Sequence, residues 1–113
     1  SDSEITTPEA TASAMIDLIP DECFMGLVGD TDARILDIAS KMGEFAVAIV
    51  RRCGDLSIPI ENIEDRIISI PTSSIAYEFT RKVYEVLGLS VDSIAERFNS
   101  YDLLKAKRTR MAH

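Results

Sequence analysis

The stretch Thr31-Asp-Ala-Arg-Ile-Leu-Asp-Ile-Ala-Ser-Lys-Met-Gly-Glu-Phe-Ala-Val-Ala-Ile-Val-Arg-Arg-Cys53 decides how this chain is read. Ile35, Ile38, Ala39, Met42, Phe45, Ala46, Ile49 and Cys53 recur three or four residues apart, the interval at which side chains share one side of an α-helix. From Phe45 to Val50 every residue is apolar, so the segment needs cover on both faces. Asp30, Thr31 and Asp32 suit a helix N-cap and the positive end of its dipole. Arg51 and Arg52 suit the negative end, and Gly54 is a natural stop. The spacing predicts one long helix over 31–53, either the centre of a small fold or half of a dimer seam.

Working outward, Thr7-Pro8-Glu9 reads as a helix start running to about Ile19, where Pro20 stops it. Asp21 opens a short helix through Val28. On the other side, Leu56 to Ile60 is extended, one edge strand at most with Pro59 in it, and Glu61 to Ile68 makes two helical turns. Thr72 or Ser73 caps a helix over Ser74–Leu87 that Gly88 ends. Val91–Phe98 and a segment from Tyr101 complete the set. The expectation is an all-α fold, a compact single domain of five to seven helices around the long central helix. Residues 1–6 are read as a flexible N-terminus, 7–104 as the helical domain and 105–113 as a basic C-terminal tail or helix end. Ile-Pro occurs three times at unequal intervals, which is helix-start chemistry and not a repeat array.

Composition fits one domain: 113 residues, 46% hydrophobic and 27% charged, with nine Gly and Pro together. The charge of −7 is unevenly placed. Residues 1–104 carry all 19 acids against eight bases, whereas 105–113 carry four bases and no acid. An acidic body repels nucleic acid, so only the basic end, Lys105, Lys107, Arg108 and Arg110, offers phosphate contacts, with Arg97 as helper. The lone His113 leaves no zinc or histidine acid–base set, and no phosphate-cradling glycine loop is present. Asp30, Asp32 and Asp37 lack the offsets of a calcium loop and read as helix-start acids. No cofactor and no metal are therefore expected. Cys23 and Cys53 read as buried free thiols. Without an apolar span or signal peptide, the chain is expected off the membrane and inside the cell, in cytoplasm, nucleoid or nucleus.

Three local patterns resemble known families. Gly88 to Arg110, with Ile94, Ala95 and Phe98 apolar and a basic second half, resembles a helix-turn-helix, although Asn99 stands where the turn glycine belongs. That resemblance implies that the basic residues face DNA. Residues 20–68, a short helix, a long helix and then Gly54-Asp-Leu-Ser-Ile-Pro-Ile-Glu-Asn-Ile, resemble a histone-fold subunit, which implies obligate pairing. Arg108 and His113, with four residues between them, resemble the Arg-x4-His element of helical HEPN ribonucleases, although Thr109 replaces the residue usual after the arginine.

On the helix Ser74–Leu87, Ile75, Phe79, Val83 and Val86 are read as the buried stripe, which leaves Tyr77, Arg81 and Tyr84 on the opposite, partner-facing side. Phe45 and Ile49 are read as the pairing surface of the long helix. The resulting expectation is a non-enzymatic association protein, a homodimer or one half of a heteromeric complex, that contacts nucleic acid through its basic end. The alternative is a pure protein–protein module (an adaptor, inhibitor or assembly subunit) whose acidic surface docks on a basic partner.

Overall fold

The computed structural model describes residues 8–29 and 33–96. In order these form α1 (Pro8–Asp17), α2 (Asp21–Gly29), β1 (Ile35–Ser40), α3 (Glu44–Asp55), β2 (Ile67–Pro71) and α4 (Ser74–Leu87). Single 3-10 turns lie at Ile60–Asn62 and Val91–Ser93. The fold is mixed α/β, so the all-α reading is corrected: four helices accompany a two-stranded parallel sheet among the described residues, and no helical bundle forms.

The long helix over 31–53 does not exist. Its first part is β1, and Gly43 stands between strand and helix at φ 73°, a left-handed conformation that interrupts any helix passing through it. Ile35 and Ile38 satisfy helical spacing, but they are β-branched and equally suited to a pleated strand. Only Glu44–Asp55 is helical, and with it goes the basis of the histone-fold resemblance. The two helical turns expected over Glu61–Ile68 are likewise replaced by a 3-10 turn and the start of β2. Every residue of β2 is buried, as suits a parallel strand covered on both faces. Pro71 is tolerated because it closes the strand. The expected edge strand at Leu56–Ile60 is a turn instead, with Ser57 at φ 59°.

The strands pair in parallel, Ile35 with Ile67, Leu36 with Ile68, Asp37 with Ser69 and Ile38 with Ile70, and an irregularity precedes the Ser40–Pro71 pair. A parallel pair requires a crossover, which α3 supplies. After α4 the chain returns beside β2, where Ile94 bridges Ser69 in parallel and the Ala95 N–H donates to the Ser69 carbonyl at 2.9 Å. The unit is thus β1–α3–β2–α4 followed by a third parallel segment. The described part of the expected helix over Val91–Phe98, residues 91–96, is one 3-10 turn and an extended stretch and so does not form the opening helix of a helix-turn-helix.

The core lies among α1, α2, α3, α4 and the sheet. Ala12, Ile16, Phe24, Leu27, Ala46, Ile49, Cys53, Ile67 and Tyr84 are all buried in it. Cys53 is buried as expected, whereas Cys23 is exposed. Arg52 ties the N-terminal helices to α3. Its guanidinium donates to the carbonyls of Ile16 and Ile19, each at 2.8 Å, and to Asp21 at 2.5 Å, and lies 4.8 Å from the centre of the Phe24 ring. Arg66 similarly donates to the Leu27 carbonyl.

Candidate functional site

Parallel strands run the same way, so β1 and β2 end on one edge of the sheet. Beyond Pro71 the Thr72 N–H donates to the Ser40 carbonyl at 3.0 Å, which carries the ladder to that edge. The turn Lys41–Met42–Gly43 then leads into α3, so the carboxyl end of β1 and the amino end of α3 adjoin. The first N–H groups of a helix have no intrahelical acceptor, and Gly43 has no side chain with which to cap them. Gly43 is required for two reasons: its positive φ, and the close approach of α4. A Cβ there would lie 3.0 Å from the Val83 Cβ.

Behind this edge runs a buried polar chain. Ser40 and Thr80 hydroxyls share a hydrogen bond of 3.0 Å. Ser69 Oγ lies 3.2 Å from Asp37 Oδ2, as donor to the ionised carboxylate, and 2.6 Å from the Tyr84 hydroxyl. Tyr84 in turn donates to the Ile67 carbonyl at 3.0 Å. With Asp37 ionised, the three contacts from Asp37 to Ile67 share two hydrogens, one from Ser69 and one from Tyr84. With Asp37 protonated there are three, and each contact has its own.

Burial is the main reason that the Asp37 pKa is raised from 3.8 to about 6, assisted by the nearby Glu44 carboxylate; hydrogen bonds from Ser69 and Ser40 pull it the other way. Burial also pushes the Tyr84 hydroxyl above its ordinary value.

The electrostatic character of the edge follows from three groups. Glu44 occupies the first turn of α3, and its Oε2 accepts from the Met42 N–H at 3.0 Å. Asp37 lies beneath, and Lys41 in the turn is exposed. Two carboxyls against one exposed ammonium disfavour a phosphate at a helix start that would otherwise attract one.

The residues singled out from sequence are scattered. Ile49 and Tyr84 are core residues, Phe45 and Tyr77 are half-buried, and Arg81 is exposed. Lys105, Lys107, Arg108, Arg110, Arg97 and His113 lie outside the described residues, and so do the expected caps at Thr7 and Asp30–Asp32. The expected buried stripe of α4 is overturned at Ile75, Phe79 and Val86, which face solvent, while Val83 is half-buried beside Gly43; Ala76, Thr80 and Tyr84 face the core, and of the expected outer set Arg81 is exposed. Asp37 was read as a helix-start acid but stands in mid-strand. Helical spacing does not point to Ser69 or to the Lys41–Glu44 turn; the signal in the sequence is Gly43, six residues beyond Asp37.

Among the described residues no three His, Cys, Asp or Glu side chains come together to hold a metal, and no helix is long and apolar enough to cross a membrane. Comparison of the chain with protein-family models, curated proteins and solved structures gave no match.

Proposed function

We propose that the carboxyl edge of the β1–β2 pair binds a small molecule of the nucleoside class, one carrying a positive group instead of phosphate. The observation that carries this reading is the β1–α3–β2 crossover with its tight turn at Gly43. In open parallel sheets, ligands sit in the crevice outside the carboxyl ends of the strands, and a βαβαβ unit, which β1–α3–β2–α4 and the segment bridging at Ile94 resemble, is the mononucleotide-binding half of such folds. Glu44 and Asp37 supply the charge preference: they attract an ammonium or sulfonium and repel a pyrophosphate. A sulfonium nucleoside provides an electrophilic alkyl group, so occupancy would make this chain the cofactor-binding half of a group-transfer enzyme.

Isothermal titration with three probes tests the reading: S-adenosylmethionine as the sulfonium nucleoside, ATP and NAD. Binding of S-adenosylmethionine alone, weakened about tenfold or more by Glu44→Lys, is expected. Binding of ATP or NAD in its place, or of none of the three, overturns it.

A second reading rests on charge asymmetry. Four bases and no acid in residues 105–113 suit contact with nucleic-acid phosphates, and such binding falls steeply with salt. Fluorescence anisotropy with duplex DNA and single-stranded RNA, comparing the intact chain with one ending at Leu104, tests it. Binding that survives the truncation unchanged rejects it. Ile49 is enclosed in the core and Phe45 is half-buried, so the two do not form a free pairing surface.

A further inference from the structure

The outward side of α4 is apolar where a solvated helix would be polar. Ile75 is 78% exposed, Phe79 51% and Val86 86%, and they fall on one line along the helix. Ser74, Ile75, Glu78, Phe79 and Lys82 line an open groove of about 410 Å³ on this side. The opposite side, Ala76, Thr80 and Tyr84, is committed to the core, so no rotation of α4 could hide the stripe.

We propose that this face is a homodimer seam, in which α4 packs antiparallel on α4 of a second copy. The argument is self-complementarity, which a twofold interface demands. A twofold axis crossing the helix between Thr80 and Arg81 sets Ile75 against Val86 of the second copy, so the two most exposed apolar side chains cover each other. The same axis sets Phe79 against Lys82 of the second copy, where an ammonium can lie over an aromatic ring. It also brings Glu78 beside that same Lys82, and symmetry repeats the pair. Among the described residues Lys82 approaches Glu85, at 4.0 Å and largely in solvent, a loose pair that leaves the ammonium able to meet a second copy. A helix of 14 residues offers a modest area, and the association is accordingly expected to be concentration-dependent.

Sedimentation velocity of the 113-residue chain over roughly 5 to 500 µM tests the proposal. The expected result is a species approaching twice the 12.5 kDa monomer mass as concentration rises. Phe79→Asp should leave only monomer with an unchanged circular dichroism spectrum. Glu78→Lys and Lys82→Glu should each weaken association about tenfold, and the double exchange should restore it. A monomer at every concentration overturns the seam. So does a dimer indifferent to Phe79→Asp, or a double exchange that restores nothing.

Discussion

Replacing Asp37 by Asn removes the group in the buried chain beneath the β1 edge that titrates between acid and neutral pH, while keeping its size and its capacity to hydrogen-bond Ser69. A carboxyl whose pKa is 3.8 when exposed and about 6 in the folded chain binds more protons in the native state throughout that interval. Stability therefore falls as pH rises from about 4 to about 6, and this contribution levels off above. Fully developed, the loss amounts to about 3 kcal/mol at neutral pH. Urea denaturation of both proteins should be measured at several values between about pH 4 and pH 7.5, and the variant's stability compared with the parent's at each. Carboxylates that do not interact with Asp37 titrate alike in both proteins and cancel in the comparison. The account predicts that Asp37→Asn gains about 2–3 kcal/mol on the parent across that range. A difference that stays constant with pH would refute the burial argument.

Two further perturbations test the fold around the site. Gly43→Ala forces a side chain into positive φ and against Val83, and should lower stability by about 1–2 kcal/mol in thermal or urea unfolding, with partial recovery on adding Val83→Ala. Arg52→Ala strands the carbonyls of Ile16 and Ile19 and should cost about 2–4 kcal/mol. Arg51→Ala, which loses only exposed pairs to Asp17 and Asp55, should leave the melting temperature essentially unchanged.

Helices with strong end signals were legible in the sequence. For α4 the bounds Ser74–Leu87, the Ser73 cap, whose Oγ accepts from the Ala76 N–H at 3.1 Å, and the Gly88 stop at φ 83° all follow from local chemistry. Which side of α4 is buried did not follow. Both stripes carry large apolar or aromatic residues, and Tyr84 enters the core because Ser69 and the Ile67 carbonyl receive its hydroxyl. Those partners lie on another element, invisible to helical spacing.

The strands were missed for a related reason. A segment as short as the six residues of β1, with Ile35, Leu36, Ile38 and Ala39 apolar, fits helix and strand periods alike, and β1 is followed so closely by α3 that the two merge into one apparent helix. Gly43 marked the break, but a lone glycine inside a helical pattern is tolerated often enough to be passed over. The site was hidden with the strands, because Asp37, Ser69 and the turn at Gly43 acquire meaning only when two parallel strands end together.

An amide-resolved NMR titration of the chain with S-adenosylmethionine tests most directly whether the carboxyl edge of the sheet is a binding site. Saturable shifts concentrated on Ser40 to Phe45 and on Thr72, at the ends of β1 and β2 and the start of α3, are expected. An absence of shifts at saturating ligand, or shifts confined to residues remote from that edge, would contradict it.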